Sequence, residues 1–302
     1  MPSAADASLP FPATAIRAAK GSPWAAWQID TGLRKPVALS ELDPSAKPFS
    51  GGDKAGDKAA VDQIASQIDE LQNLFHADGR HRLLVVLQGT DTSGKDGTVR
   101  SVFARTSPLG VHTVGWKAPT EVERAHDYLW RIHQRMPGNG EIMVFNRSHY
   151  EDVLVPVVEG WIDADRQQQR LRHINDFERM LAETGTVILK FMLHIDRDEQ
   201  RQRLQDRIDD PQKHWKFSHG DLDARLKWDD YQRAYGELLA ATSTPWAPWT
   251  VVPANSKTHR NLMIATLVRD CLRALDLRFP PEDPTLHGLR VTRSTTPTRA
   301  PR

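Results

Sequence analysis

The chain has 302 residues, enough to bury one large α/β domain or two small ones. Its 40 basic and 39 acidic residues nearly cancel, so the overall charge calls for neither a nucleic-acid nor a membrane partner, and a polyanion would have to be met by a local basic groove. The single cysteine, Cys271, excludes an internal disulfide and reads as a small apolar core residue; no apolar run of about 18 residues offers a membrane span, and the amino terminus lacks the charged-then-apolar order of a secretory signal, so a cytoplasmic location is expected.

Residues 1–57 are rich in Ala, Pro, Ser, Gly and Lys, with short apolar pieces near Trp24 to Ile29, and read as an irregular arm. Helical periodicity starts at Val61 and runs through Ile64, Ile68, Leu71 and Phe75. An apolar strand, 83–88, leads into Gly89, and Thr98 to Arg105 can form the helix that follows. Val111 to Val114 is a second strand, Glu121 to Met136 a helix, and Glu141 to Phe145 a third strand that runs into Asn146-Arg147-Ser148. A helix over 165–182 precedes the long apolar strand 187–195. A charged helix over 198–208, a polar segment through Ser218, a helix over 222–239, a strand over 249–252 and a closing helix over 261–275 complete the domain. From Phe279 the repeated Pro, Thr and Arg read as a disordered tail. The expected division is thus an arm over 1–57, a domain over 58–278 and a tail over 279–302. Strands alternating with helices predict a parallel five-stranded sheet with helices on both faces, and ligands in such sheets bind beyond the carboxyl ends of the strands.

Three features there carry chemistry. The first is Gly89-Thr90-Asp91-Thr92-Ser93-Gly94-Lys95, the G-x-x-x-x-G-K spacing of a loop whose amides cradle a phosphate while the lysine adds a full charge. Gly89, Thr92, Gly94, Lys95 and Gly97 are its phosphate-binding candidates. The residue after the lysine is normally Ser or Thr, holding magnesium, and here it is Asp96; a second carboxylate, Asp91, sits inside the loop. The second feature is the strand end Asn146 to Asp152. P-loop kinases often place a metal-binding carboxylate at this point, whereas Asn146 has no charge and Arg147 suits a bidentate grip on phosphate oxygens. The third is the segment Asp206 to Ser218, with Arg207, Lys213 and Lys216 around Trp215, which suits a lid over about 206–220 that closes on phosphates. Arg124, Arg131 and Arg135 fall on one face of the expected 121–136 helix, with Lys117 before it; Lys117 and Arg131 are kept as candidates for a phosphate channel.

Together, Gly89-x-Asp91-x-x-Gly94-Lys95-x-Gly97, Asn146-Arg147-Ser148-His149-Tyr150-Glu151 and Lys213-x-Trp215-Lys216-x-Ser218 resemble polyphosphate kinase family 2, over about Trp27 to Leu275. The resemblance implies a P-loop kinase fold related to thymidylate kinases, with a helical lid. It implies transfer of the terminal phosphate of inorganic polyphosphate to a nucleotide with magnesium, or manganese in its place. Asn-Arg-Ser-His-Tyr-Glu, where most of the family has Asp-Arg-Ser-Trp-Tyr-Asn, looks like the branch that phosphorylates both AMP and ADP. On that footing Asp91, Lys95 and Arg147 are the catalytic candidates and Asp91 the metal ligand, orienting or deprotonating the attacking phosphate oxygen. Arg147 and Glu151 would meet the nucleotide, with Glu151 tied to AMP use, and Arg207, Lys213 and Lys216 would close over polyphosphate. Adenine nucleotides are the expected acceptors, guanine nucleotides a further option, and self-association is common in the family. An ATP-dependent nucleotide or small-molecule kinase and a non-catalytic P-loop binding protein are the alternatives, and Asp96 and Asn146 speak against the first.

Overall fold

The computed structural model describes residues 8–291 and 298–299. Five parallel strands form the central sheet: β1 (Arg82–Gln88), β2 (Val111–Gly115), β3 (Ile142–Asn146), β4 (Thr186–His194) and β5 (Trp249–Pro253), in the order β2-β3-β1-β4-β5. β1 is central, pairing Leu83 with Ile142 on one side and Val187 on the other. Every residue of β4 and β5 is buried. That explains why these strands read as unbroken apolar runs: helices cover both faces.

Alternation along β1 sorts the core into two layers. Leu83, Val85 and Leu87 pack against α1 (Lys54–Asp78), α2 (Lys95–Val102), α10 (Lys257–Ala274) and the arm residues Phe11, Ile16 and Trp24. Leu84 and Val86 face the opposite layer, which holds α5 (Glu151–Val158), α6 (Ala164–Glu183) and α9 (Trp228–Thr242). Among the described residues no helix is long and apolar enough to cross a membrane. Cys271 is buried in the first layer.

The helix starts follow their caps. Asp53 accepts from the Gly56 amide and starts α1 at Lys54, ahead of the expected boundary at 58. The helix after the P-loop starts at Lys95, three residues before the expected Thr98, with Gly94 in the left-handed region as its cap. Asp196 caps α7 (Arg197–Asp209) through the Glu199 amide.

Two expected helices are each divided. Over 121–136 the chain forms α3 (Glu121–Arg124) and α4 (Trp130–His133). Thr120 and Glu123 close a capping box on α3, and Asp127 then accepts from the Leu129 amide, which turns the chain before α4. Arg124, Arg131 and Arg135 therefore do not share one helical face. Over 222–239 the break is at Lys227, between α8 (His219–Leu226) and α9. Leu226 is 81% exposed and Trp228 only 8% exposed, so the apolar stripe changes direction there. Helix α5 was not expected, because Val-Leu-Val-Pro-Val-Val reads as β-prone and carries Pro156. The Asp152 carbonyl, which a residue-156 amide would have met, accepts from Arg170 Nη1 instead.

The expected arm and tail fall partly on residues 1–7, 292–297 and 300–302, which lie outside the described residues. Within the described arm, two 3-10 turns, Ala13–Ala15 and Leu39–Glu41, bury Ala15 and Leu39. The described tail has one such turn, Pro284–Leu286, and pairs Leu289–Arg290 with Thr298–Arg299.

Candidate active site

The P-loop follows β1, the strand from which the chain crosses first to β2 and β3 and later to β4 and β5, so it sits where the sheet order reverses. Gly89 has no room for a side chain: a Cβ there would lie 2.6 Å from the Leu193 carbonyl oxygen. Gly94 has φ +105°, and its Cβ would lie 1.7 Å from Arg260 Nη1. Lys95 is 7% exposed and folds back, its Nζ donating to the carbonyls of Gly89 at 2.6 Å and Thr90 at 3.1 Å. Burial and the nearby Arg147 guanidinium push its ammonium down to about 8. Two arginines brace the loop through its carbonyls. Arg203 donates to the carbonyls of Thr92 at 2.9 Å and Ser93 at 3.2 Å. Arg260 also reaches Ser93 O at 3.2 Å, and burial and Arg203 push its guanidinium down to about 9.

The end of β3 supplies the second part. Arg147 sits at φ +65°, in the left-handed region where non-glycine residues are strained, as is Thr92 at φ +67°. Its guanidinium is clamped between two carboxylates, Asp91 through Nη2 and Glu151 through Nη1 at 3.0 Å. Glu151 and Asp91 hold it above the ordinary arginine range. Glu151 also accepts from Gln88 Nε2 at 2.9 Å. Beside this cluster Asn146 Nδ2 donates to Asp96. The strand end rests on a fully buried polar network: Glu178 accepts from Tyr150 at 2.6 Å and Lys190 at 2.7 Å, and lies 3.1 Å from His149 Nε2. Burial opposes the Glu178 charge, but Lys190 and His149 outweigh it and hold the carboxyl below its ordinary range.

The lid consists of the end of α7, the 3-10 turn Pro211–Lys216 and α8. Arg207 donates to Lys216 O at 3.0 Å and Asp221 at 3.1 Å. Lys213 pairs with Asp210 at 2.8 Å, and the Lys216 ammonium stands 5.0 Å from the Trp215 ring centre. Asp221 is raised by burial and by Asp91.

Loop, strand end and lid enclose a cavity of about 490 Å³. Asp91, Thr92, Gly94, Lys95, Gly97, Lys117, Arg147, Arg207, Lys213 and Lys216 all line it. Eight cations face four carboxylates, so an anion is the complementary ligand. Gly89 and Glu151 line a smaller adjoining hollow with Tyr231 and Tyr235. Arg131 is absent from this cavity's lining and lines the neighbouring groove instead: it is 6% exposed, bonded to Lys117 O at 2.9 Å and Asp152 at 3.1 Å, and holds the chain around Lys117 in place. The sequence reading missed Arg203, Asp221 and Lys257, which also line the cavity, and Arg260 beneath it. Only the i,i+4 pair of Arg203 with Glu199 at 2.7 Å left a trace in the sequence.

On the other side of Arg147 lies a larger groove of about 810 Å³, lined by Trp116, Lys117, Tyr128, Glu151, Trp161 and Arg170 among others. Arg131 stands 5.2 Å from the Trp116 ring centre, and Arg170 stands 5.0 Å from that of Tyr128. Trp116, Lys117 and Arg147 line both spaces. Among the described residues no three His, Cys, Asp or Glu side chains converge on a metal position. Asp91 and Asp96 do reach the cavity, and one or two carboxylates completed by phosphate oxygens and water are what magnesium needs.

A phosphate-cradling loop with its lysine, a strand-end arginine and a cationic lid on a parallel α/β sheet define a P-loop phosphotransferase. A sequence model described as polyphosphate kinase 2 matches residues 51–279, and the chain belongs to that family. It is 49% identical over 243 residues to an AMP/ADP-polyphosphate phosphotransferase of Meiothermus ruber, covering 80% of this chain and 91% of the relative. It is 38% identical over 269 residues to an ADP-polyphosphate phosphotransferase of Rhodopseudomonas palustris, covering 85% and 93%. Among solved structures, polyphosphate kinase 2 from Arthrobacter aurescens TC1 superposes with a TM-score of 0.83 at 43% identity, covering 89% of this chain and 95% of that one.

Proposed function

We propose that this enzyme moves the terminal phosphate of inorganic polyphosphate to AMP and to ADP, giving ADP and ATP in a reversible exchange. The observation that carries the reading is the meeting of two spaces at Arg147: a cationic cavity suited to a chain of phosphates, and a groove with aromatic walls suited to a nucleoside. The donor lies along Lys95, Arg203 and the lid cations. The acceptor lies between Trp116 and Trp161, with its phosphate toward Arg147.

In the reaction an oxygen of the acceptor phosphate forms a bond to the terminal phosphorus of the donor. The bond from that phosphorus to its bridging oxygen breaks, and the shortened chain leaves with the electron pair. Charge spreads over the transferring oxygens, so catalysis is positioning and neutralisation. Lys95 and the loop amides hold the transferring group, and Arg147 spans donor and acceptor. Asp91 orients the attacking oxygen, and Glu151, beside Arg147 at the groove, favours AMP as well as ADP. Lid closure over Arg207, Lys213 and Lys216 excludes water, which would otherwise intercept the phosphate. Magnesium, or manganese in its place, would be held by Asp91 and Asp96 and would supply charge neutralisation to the phosphates. The setting is cytoplasmic.

The test supplies the pure protein with magnesium, AMP or ADP, and either polyphosphate or ATP as phosphate donor. Formation of ADP and ATP from polyphosphate is expected. Turnover with ATP alone would replace this reading by an ATP-dependent kinase, and turnover with neither donor would leave a binding protein.

A further inference from the structure

We infer that the donor cavity continues into a second cationic hollow on the amino-terminal arm, which holds the distal phosphates of a long polyphosphate. The inference rests on polyphosphate being the donor. The hollow has a volume of about 530 Å³; it is lined by Lys47 and Lys54 from the arm and the start of α1, and by Glu199, Asn255 and Lys257. Lys257 lines both this hollow and the donor cavity, so the two adjoin at that side chain.

The sheet order gives the chain of phosphates its direction. Trp116 and Lys117, at the acceptor groove, follow β2 at one edge of the sheet, and Lys257 follows β5 at the other. The P-loop follows the central strand between them. While a nucleotide fills the groove, a donor too long for the cavity leaves toward Lys257.

The hollow is built for anions. Lys47, Lys54 and Lys257 are exposed and have no ion-pair partner among the described residues. Its one carboxylate, Glu199, is already held by Arg203 Nε at 2.7 Å. Partial burial first, and then Arg203, lower the Lys257 ammonium, and a phosphate would offset the Arg203 repulsion. The arm is fixed in place here. Asn255 N donates to Pro44 O at 3.1 Å, Asn255 Nδ2 to Ser45 Oγ at 2.8 Å, and Phe49 N to His259 Nε2 at 3.2 Å. Lys47 is therefore presented on a backbone already ordered, and binding does not have to order it.

The test is Lys47→Ala/Lys54→Ala, assayed with long-chain polyphosphate and with the shortest polyphosphate that the enzyme accepts. Removing two solvent-screened contacts should raise KM for the long chain about three- to tenfold with kcat unchanged. KM for the short donor should stay at the wild-type value, and Lys47→Arg/Lys54→Arg should keep the wild-type KM for both. The salt dependence of the long-chain KM should also become shallower in the alanine variant. Equal effects on long and short donors, or no effect on either, would overturn the inference. Both lysines are exposed, so an unchanged melting temperature is expected and checks that the fold is intact. A wild type that turns over no polyphosphate of any length would overturn the donor reading instead, and it does so before any variant is made.

Discussion

Raising the pH through about 8 should remove the charge of Lys95. Its ammonium titrates at about 8 instead of 10.5. Burial is the main cause and the Arg147 charge the next, while Asp91, Glu151 and Asp96 oppose them. The displacement corresponds to about 3 kcal/mol against the charged form, an order-of-magnitude figure for a group that is 7% exposed. In the unfolded chain the proton is held up to about 10.5 and in the folded one only to about 8. Between these values the unfolded state binds more protons, so this group's contribution to stability rises with pH there, and its penalty is complete below 8. Activity moves the other way, because the neutral amine no longer stabilises the transferring phosphate. Initial rates across pH should show kcat/KM for the donor falling above about 8, the value of the free enzyme. In the filled site phosphate restores the charge, so the fall in kcat should come at higher pH. Lys95→Arg keeps its charge throughout and should lose the fall, whatever its absolute rate. A kcat/KM profile flat to about pH 10, or the same fall in Lys95→Arg, would refute this assignment, since an unperturbed lysine titrates at about 10.4.

Asp91→Asn and Lys95→Ala should each reduce kcat by about two or more decades, the scale for losing preorganised charge at the transition state; a rate within about threefold of wild type removes that residue from the mechanism. Glu151→Asn should lower kcat/KM for AMP more than for ADP, and an equal loss on both would end its role in acceptor choice. Lys190→Met leaves Glu178 buried with its main counter-charge gone, both side chains being fully buried, and should cost about 3 kcal/mol in urea denaturation. Lys190→Met/Glu178→Gln should recover most of that loss, and a single variant within about 1 kcal/mol of wild type would show that the pair is not coupled as described.

The sheet was legible because its strands are buried on both faces and so read as apolar runs bounded by polar turns. The expected 83–88 and 249–252 differ from β1 and β5 by one residue at an end. The P-loop and lid were legible because each is contiguous in sequence. What escaped depends on tertiary packing. Helix α5 hid behind β-branched residues and Pro156, and Arg170, from α6, satisfies the carbonyl that the proline leaves. Arg131 has the spacing of a surface cation, but Asp152 and the Lys117 carbonyl draw it inward. Arg203 and Arg260 lie 111 and 167 residues from the loop atoms they bind, with no motif to mark them. Asp96 read as an isolated departure from the motif and Asn146 as another. In the structure they are one pair, the carboxylate on the loop and the neutral group on the strand end, the reverse of the usual P-loop arrangement.

The hidden arginines also explain how the loop holds its shape. A trans peptide points its carbonyl and the following amide in opposite directions. Lys95 takes the carbonyls of Gly89 and Thr90, Arg203 those of Thr92 and Ser93, and Arg260 that of Ser93. Pinning these carbonyls therefore fixes which way the adjoining amides turn, that of Ser93 toward the Thr90 carbonyl at 3.2 Å, while Lys95 and Arg203 still line the cavity. The glycines make the bend possible, and the arginines choose its direction. The same packing puts three cations around one short loop; burial, with Arg147 nearby, pushes Lys95 down to about 8, and burial, with Arg203 nearby, pushes Arg260 down to about 9. Without an anion these charges destabilise one another; with one they become its counter-charge. A phosphate bound beside them would relieve this penalty, so the folded loop would hold its counter-charges in place before the donor arrives.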